Sequence, residues 1–212
     1  MMYRKIKAYL DTLIAFFVLV ILSPLIFILS LFIRLDGQGK AIFKQARVGK
    51  GGEIFYMYKL RTMRSTEVSF NVNRAVIDDD NANLTRIGRF LRKYKIDELP
   101  QLFNVLIGDM SIVGPRPLMP VYLDNYHGWE RAKFAEKPGM TGYAQVNGNG
   151  YLSRKERSYY DVFYSKNLNF WLDIKIIFLT IKVIIKGENA CTKRVDENII
   201  RDFLRENDDV NA

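Results

Sequence analysis

The sequence predicts an α+β protein attached to a membrane, and three observations support this fold class. Residues 13–33 contain no charged side chain, and about 20 apolar residues is the length that a membrane-inserted helix needs. Residues 41–49 and 53–63 are rich in aromatic and branched side chains and flank a Lys-Gly-Gly turn, which predicts a β-hairpin. A second apolar stretch, residues 168–187, carries lysines at helical spacing and predicts an amphipathic helix.

The composition limits the classes of site that the chain can build. The chain has 212 residues, a net charge of +9, one cysteine and one histidine, which suits one domain with modest attachments. With Cys191 alone there is no internal disulfide, and Cys191 with His127 cannot form a structural zinc site. A reducing, cytoplasmic setting is therefore expected. The positive charge requires an anionic partner, which on charge alone is nucleic acid, phospholipid or a phosphorylated substrate.

The N-terminal segment, residues 1–36, predicts a membrane helix that is interrupted near its middle. Ser23 and Pro24 lie within the apolar run, and proline removes a backbone donor while the serine hydroxyl can satisfy a released carbonyl. Basic residues flank both ends of the run, and positive charges tend to remain cytoplasmic. A re-entrant helix-break-helix keeps both flanks on one side, so we expect that arrangement, with a kinked spanning helix as the alternative.

The C-terminal apolar stretch predicts a helix at the membrane interface. Lys175, Lys182 and Lys186 align on one stripe and Trp171 lies at one end, an arrangement that places lysines among lipid phosphates. A core helix with a solvated lysine stripe fits the same pattern. We expect residues 37–187 to form the globular domain, including this helix, and residues 188–212 to form a polar, flexible tail.

Between the hairpin and the centre of the chain the charge becomes strongly basic. Residues 64–83 are polar without periodicity and predict a loop. Residues 84–96 have helical periodicity. Their basic side chains are Arg86, Arg89, Arg92, Lys93 and Lys95.

The adjacent carboxylates Asp97 and Glu98 follow this basic helix. Asp97 has the position of an N-cap for a helix that runs to Gly108, with Pro100 tolerated in its first turn. Helix capping is therefore the simplest interpretation. The upstream arginines offer another, since a carboxylate kept ionised among phosphate-binding cations can act as a nucleophile or a metal ligand.

Two loops further along the chain are suited to binding anions. Residues 110–120 place three prolines around Arg116, so a stiff loop would present its guanidinium. Residues 138–150 contain four glycines, which allow a backbone to approach a ligand closely, and they include Gln145 and Asn149.

Taken in order, these segments resemble one protein family. The Ser-Pro break, KLRTM at 59–63, KIDELPQLFNVLIGDMS at 95–111, VGPRP at 113–117 and PGMTGYAQVNG at 138–148 resemble the small monotopic bacterial phosphoglycosyl transferases. The resemblance covers residues 3–187. It implies a re-entrant membrane segment, interfacial helices, and a location on the cytoplasmic face of the bacterial inner membrane.

The resemblance also implies a reaction and its site residues. The family moves a phosphosugar from a nucleotide diphosphate sugar, here a UDP-sugar by the same resemblance, to polyprenyl phosphate, with Mg²⁺ as cofactor and a covalent enzyme intermediate. Asp97 matches the family's nucleophile, and Glu98 matches the second carboxylate of the dyad, with magnesium expected on this pair. The residues expected to bind substrate phosphates or the donor are Lys59, Arg61, Arg92, Arg116, Gln145 and Asn149.

One position departs from the family pattern, and other functions compete with this one. Asn149 stands where family members commonly have an arginine, which puts donor recognition in doubt, and Arg154 could supply the missing charge. A catalytically silent adaptor docked on anionic lipid is the alternative function, although it has no need of the Asp97–Glu98 pair. Nucleic acid is not an expected partner because no aromatic stacking platform or DNA-binding motif stands in a basic context.

Overall fold

The computed structural model describes residues 2–36, 39–64 and 83–208. Within them the chain forms seven α-helices and two two-stranded sheets, in agreement with the α+β prediction. The predicted loop at 64–83 lies almost wholly outside the described residues. The helices are α1 (Met2–Leu35), α2 (Arg86–Lys93), α3 (Gln101–Ile107), α4 (Tyr143–Val146), α5 (Arg154–Lys166), α6 (Phe170–Lys186) and α7 (Glu197–Asp208). The strands are β1 (Ile42–Val48), β2 (Ile54–Leu60), β3 (Ser111–Val113) and β4 (Gly139–Thr141).

Helix α1 is a single helical element that continues through Pro24. A proline at this position removes the donor to the carbonyl four residues earlier, which belongs to Val20. The Ser23 hydroxyl donates to that carbonyl at 2.9 Å. The structure therefore has continuous helix where an interruption was predicted, because Ser23 supplies the bond that Pro24 lacks. The re-entrant arrangement stays a prediction.

One stripe of α1 packs on the globular domain along most of the helix. Ala15 and Leu19 contact a core formed with β2 and α3, whereas Ile26 and Ile33 contact a second core formed with β2 and α2. The opposite side exposes large apolar side chains such as Phe27. By length and composition α1 could cross a membrane, and it is the one such helix within the described residues.

A buried polar cluster fixes the start of α1 to the rest of the fold. The Lys7 ammonium lies 2.9 Å from Asp173 of α6 and 3.3 Å from Asp11. The hydroxyls of Tyr3 and Tyr164 donate to Asp173 at 2.7 and 2.6 Å. Breaking such a buried pair on one side is strongly destabilising, so this cluster ties the N-terminal turns of α1 to α5 and α6.

The predicted hairpin and the predicted C-terminal helix are both present. Strands β1 and β2 pair antiparallel across a turn at Lys50–Gly52. Helix α6 exposes Trp171 and its lysine stripe and buries Ile176 and Val183. Its place at a membrane interface stays a prediction.

Helix α7 is an element that the sequence analysis did not predict. Its Ile200 is buried, and the Phe203 ring packs edge-on against Tyr159 of α5 at 5.1 Å. The polar composition of residues 188–212 concealed these two apolar contacts. Residues 209–212 of the predicted tail lie outside the described residues.

Candidate active site

The β1–β2 ribbon brings three polar side chains to one face. In an antiparallel pair, directly opposite residues project on the same side and alternate residues share that side. Gln45 pairs with Met57 and Arg47 pairs with Phe55, while Lys59 follows two residues after Met57. Gln45, Arg47 and Lys59 therefore project toward the start of α3.

A tight turn presents the carboxylate pair to this face. Lys95 adopts a left-handed conformation with φ of 59° and is followed by a 3-10 turn at Ile96–Glu98. Such a conformation is unusual for a residue other than glycine and persists only where surrounding contacts enforce it. The Lys95 ammonium lies 2.7 Å from Glu188, just beyond α6, and this ion pair helps to hold the turn.

The predicted capping role of Asp97 is wrong. Helix α3 begins at Gln101 with Pro100 at its N-cap, and no side chain caps it. The 3-10 turn has already placed Asp97 a full turn before the helix, so its carboxylate does not reach the free N–H groups of α3. None of the described residues donates a hydrogen bond to the Asp97 side chain, although the residue is only 5% exposed.

Glu98 is held as an anion. Its Oε1 lies 2.6 Å from the Lys59 ammonium. Burial by itself would raise the pKa of Glu98, but the charges of Lys59, Lys95 and Arg116 outweigh it and lower the pKa to about 2. Glu98 is therefore ionised at any physiological pH.

Asp97 has the opposite electrostatic character. Burial and the neighbouring Glu98 charge raise the pKa of Asp97 to about 6, against the opposing effect of Lys59, Arg92 and Lys95. At neutral pH the carboxylate is mostly ionised yet more basic than an ordinary aspartate. A basic, unpaired carboxylate among cations is suited to nucleophilic attack on an anionic centre.

Close glycine contacts bring the two anion-binding loops together. A Cβ on Gly139 would lie 2.1 Å from the Gly114 nitrogen, and a Cβ on Gly142 would lie 2.1 Å from the Gly114 carbonyl oxygen. Only glycine permits backbones this close. The loop that carries Arg116 and the loop that carries Gln145 therefore share one cleft with Glu98, the second carboxylate of the pair.

The cleft is small and electropositive. It encloses about 250 Å³, part of which is open solvent at its mouth. Its charged side chains are three cations and one carboxylate, and the carboxylate is already paired with Lys59. Its lining includes Arg47, Lys59, Glu98, Gln101, Arg116 and Gln145.

Asp161 of α5 holds the loop that carries Arg116 in place. It is 1% exposed, and its Oδ1 accepts a hydrogen bond from the Arg116 backbone N–H at 3.4 Å while its Oδ2 pairs with Lys133. The Arg116 guanidinium itself has no hydrogen-bond partner within residues 2–36, 39–64 and 83–208. The N–H donors of this guanidinium are therefore available to an anion bound in the cleft.

Asn149 is connected through Glu188 to Lys95, which precedes the carboxylate pair. It is buried, and its amide donates to both carboxylate oxygens of Glu188, at 3.1 and 3.0 Å. Glu188 in turn pairs with Lys95. Arg154 does not enter this network, because it pairs with Glu130 at 3.5 Å and lies over the Tyr126 ring.

Two other predicted binding residues, Arg92 and Arg61, differ in the groups that they act on. The positive charge of Arg92, in the last turn of α2, favours the ionised form of Asp97 and so opposes the rise in the pKa of that carboxyl. Arg61 donates from Nη2 to the Ile33 carbonyl at 2.7 Å and so contacts the C-terminal end of α1. This bond attaches α1 to the residue that follows β2, and substrate binding by Arg61 stays a prediction.

The carboxylates have a donor set that fits magnesium shared with a substrate. Within the described ranges, no group of three or more His, Cys, Asp or Glu side chains is placed to hold a metal. Mg²⁺ commonly takes one or two protein carboxylates and completes its shell with substrate phosphates and water. Asp97 and the Glu98 oxygen not paired with Lys59 suit that mode better than a preformed protein cage.

Sequence reasoning missed Arg47. It lies in a run of seven strand residues, where an isolated arginine is typical of a solvated edge. The signal that could have found it is the register: once the hairpin turn is fixed at Lys50–Gly52, Arg47 must share a face with Lys59.

Comparison with known proteins gives one family for this chain. The family model described as bacterial sugar transferase matches residues 2–187, which include the hairpin, the dyad and both loops. The chain belongs to the bacterial sugar transferase family. An uncharacterized sugar transferase of Bacillus subtilis is 40% identical over 183 residues, which cover 86% of this chain and 89% of that relative.

Two further bacterial sugar transferases carry names that state a reaction. An undecaprenyl-phosphate galactose phosphotransferase of Salmonella typhimurium is 40% identical over 88% of this chain, but the match covers 42% of that protein. A UDP-glucose:undecaprenyl-phosphate glucose-1-phosphate transferase of Caulobacter vibrioides is 38% identical, over 87% of this chain and 71% of the relative. This chain thus spans less than half the length of the Salmonella relative.

Proposed function

We propose that this protein is a phosphoglycosyl transferase. It moves a sugar phosphate from a nucleotide diphosphate sugar to polyprenyl phosphate, with Asp97 as the nucleophile. The observation that carries the proposal is the buried Asp97 carboxylate, which caps no helix and has a pKa raised to about 6 beside a permanently ionised Glu98. The names of the Caulobacter and Salmonella relatives support the acceptor class, and the former supports a UDP-sugar donor.

The first step forms a covalent intermediate. A carboxylate oxygen of Asp97 attacks the sugar-bearing phosphorus, and the bond from that phosphorus to the oxygen bridging the two phosphates breaks. The nucleoside monophosphate leaves with the bonding electron pair on its phosphate oxygen. The product on the enzyme is an aspartyl phosphosugar. No proton transfer is required, which is consistent with the absence of histidine among the residues that line the described cleft.

The second step regenerates the carboxylate. A phosphate oxygen of the polyprenyl phosphate attacks the same phosphorus, and the bond between that phosphorus and Asp97 breaks. The products are polyprenyl-diphosphate-sugar and free enzyme. Lys59, Arg92 and Lys95, the cations that act on Asp97, stabilise the charge that builds up on the phosphoryl oxygens in both steps.

Glu98 has two roles in this proposal. Its ion pair orients the Lys59 ammonium, and its negative charge raises the basicity of Asp97. When bound, a magnesium ion held by Asp97 or Glu98 would neutralise part of the diphosphate charge as a Lewis acid. Every other contribution comes from the side chains of this chain.

The same proposal places the protein on the cytoplasmic face of the membrane, with α1 re-entrant. Arg4 near the start of α1 pairs with Glu136 at 2.6 Å, and Ile33 near its end is buried against Leu60. Both ends of the helix thus contact one globular domain, which supports a single cytoplasmic side for the two basic flanks. The exposed apolar side of α1 and the lysine stripe of α6 would face lipid.

Trapping of the intermediate tests the chemistry. Wild-type protein with nucleotide sugar and Mg²⁺, but without lipid acceptor, should gain the mass of one phosphosugar on the peptide that contains Asp97. It should release one equivalent of nucleoside monophosphate. Asp97→Asn should insert in the membrane normally but lose both signals. An adduct mapped to Glu98, or turnover by Asp97→Asn, would refute the assignment of the nucleophile.

A screen of the wild-type protein separates the enzyme from the alternative of a silent membrane adaptor. The panel consists of nucleotide sugars with polyprenyl phosphate, scored by release of nucleoside monophosphate. Release with at least one donor is expected. Vesicle binding without release from any donor would favour the adaptor.

A further inference from the structure

Two buried polar atoms that line the cleft lack hydrogen-bond partners among the described residues. They are Nε of Arg47 and Oε1 of Gln145. Buried polar atoms in folded proteins are nearly always paired, and an unpaired one is costly. One atom is a donor and the other is an acceptor, and both line the cleft that contains Glu98 and Arg116.

Arg47 is held firmly with its Nε unused. Its Nη1 donates to the Pro117 carbonyl at 3.2 Å, and its Nη2 donates to Gln45 Oε1 at 2.7 Å. Burial and the nearby Arg116 lower the pKa of Arg47 to about 10, so the guanidinium is still charged at neutral pH. Two guanidiniums in a partly buried cleft repel each other, and an anion between them relieves that repulsion.

The orientation of the Gln145 amide is fixed by its other bond. Nε2 donates to the Met140 carbonyl at 3.0 Å. A flipped amide would place two acceptor oxygens against each other, so Oε1 is the atom left without a partner. Phosphate diesters carry no hydrogen-bond donor at neutral pH. Among the groups of a nucleotide sugar, the hydroxyls and the N–H groups can therefore satisfy Oε1.

We propose that Arg47 and Gln145 together bind one sugar-phosphate unit of the donor. Arg47 Nε donates to a phosphate oxygen, and Gln145 Oε1 accepts from a hydroxyl or N–H group on the sugar ring attached to that phosphate. The inference rests on the proposed function, which supplies a nucleotide sugar as the ligand. The ring is either the transferred sugar or the ribose, since both offer hydroxyls beside a phosphate.

The lining of the cleft agrees with a unit of this kind. The cationic side chains of Arg47, Lys59 and Arg116 lie beside the Gln145 amide there. Arg47 and Arg116 line the cleft together with Glu98, and neither Asp97 nor Arg92 is among its lining residues. The Arg47–Gln145 pair therefore lies on the Glu98 side of the carboxylate pair.

Ligand binding tests the Arg47 contact without requiring turnover. The probes are UDP and uridine, measured by calorimetry with wild type, Arg47→Met and Arg47→Lys in detergent. A lost charge-assisted bond should weaken UDP binding by about tenfold or more in both variants and leave uridine binding unchanged. Lys44→Met, which removes an exposed cation from the other face of β1, is the matched control and should bind UDP like wild type.

Two results would overturn the Arg47 contact. Equal weakening of UDP and uridine would mean that Arg47 only braces the Pro117 loop. Unchanged UDP binding in both variants would mean that Nε meets no phosphate. In kinetic assays the donor KM should rise in Arg47→Met with the polyprenyl phosphate KM unchanged, and the reverse pattern would assign Arg47 to the acceptor.

Deoxy donors test the Gln145 contact and identify the ring. Each hydroxyl of the transferred sugar is removed in turn in one series, and the ribose hydroxyls are removed in the other. With wild type, one deoxy position should lower kcat/KM by about tenfold. With Gln145→Leu, removal of the same hydroxyl should cause no further loss of kcat/KM, because the variant lacks the oxygen that accepts its hydrogen bond. The series containing that position shows whether the ring is the sugar or the ribose.

The outcomes separate this inference from the proposed function. If Gln145→Leu keeps full discrimination at every position of both series, Gln145 binds neither ring and the inference fails while turnover stands. If wild-type protein releases no nucleoside monophosphate from any donor, the proposed function fails. The UDP and uridine measurements then still decide whether Arg47 binds phosphate.

Discussion

The Lys59 ammonium lies 2.6 Å from Glu98 Oε1, and none of the described residues forms an equivalent ion pair with Asp97. Lys59 comes from β2 and Glu98 from the turn before α3, so the contact depends on how the ribbon packs on that helix. Two adjacent carboxylates thereby acquire different pKa values, about 6 and about 2. Environments that give two neighbouring carboxylic acids very different pKa values are typical of catalytic pairs.

Activity should fall on the acid side with an apparent pKa near 6. Asp97 attacks as the carboxylate, and its pKa is raised to about 6 by burial and by Glu98, so protonation removes the nucleophile as pH drops through that value. Glu98 stays ionised over the same range. The measurement is kcat/KM for the donor between pH 5 and 8. A flat profile down to pH 5 would contradict the raised pKa of Asp97.

Asp97→Asn should stabilise the protein at high pH while it abolishes turnover. The pKa of Asp97 in the folded protein lies above the usual aspartate value of 3.8, so folding favours the protonated form and burial of the ionised form costs stability above pH 6. Asparagine avoids that cost, which is of the order of 1–3 kcal/mol. The gain in Tm over wild type should be present at pH 8 and vanish near pH 4. An equal change at both pH values would point to packing.

Lys59→Met should lower activity and move its acid limb to higher pH. The Lys59 charge lowers the pKa of both Asp97 and Glu98, so its removal leaves both carboxylates easier to protonate. Loss of the Glu98 ion pair should also reduce kcat/KM by about tenfold or more. Lys44→Met on β1 is the matched control and should keep the wild-type profile. Reduced activity with an unmoved acid limb would mean that Lys59 acts on substrate alone.

Asn149 should influence the donor through Glu188. Asn149→Asp places a carboxylate against Glu188, where the amide now donates two bonds, and it should disturb the Lys95 turn and raise the donor KM several-fold. Asn149→Arg keeps a donor toward Glu188 and should be tolerated. Arg154→Ala should leave the donor KM unchanged, because Arg154 pairs with Glu130. A raised KM in Arg154→Ala would restore it as a compensating charge.

The topology of α1 can be measured with two cysteines. Lys5 and Lys40 are exposed and flank the apolar run of α1, so Lys5→Cys and Lys40→Cys in a Cys191→Ser background report the side of each end. A membrane-impermeant maleimide should label neither in intact cells and both after permeabilisation. Labelling of one site from outside would establish a spanning helix and refute the re-entrant arrangement.

The residues that the sequence placed correctly are those fixed by local rules. The apolar length of α1, the hairpin around Lys50–Gly52 and the helix at Phe170–Lys186 follow from composition, turn chemistry and periodicity, each read within one segment. The adjacent carboxylates Asp97 and Glu98 were also singled out locally, by their place beside cations, and their catalytic role stays a prediction. Even Ser23 had its role predicted, since a hydroxyl next to a proline has few carbonyls within reach.

Tertiary packing decided what those segments do together. Asp97 matches an N-cap in sequence, yet the left-handed Lys95 and its ion pair with Glu188 turn the carboxylate away from α3. Arg47 lines the cleft and Arg61 contacts α1, because strand register and packing bring together side chains that are distant in sequence. Local patterns specify which face of an element a side chain occupies. The partner that this face meets depends on loop closure and burial over the whole chain, and only the folded structure fixes it.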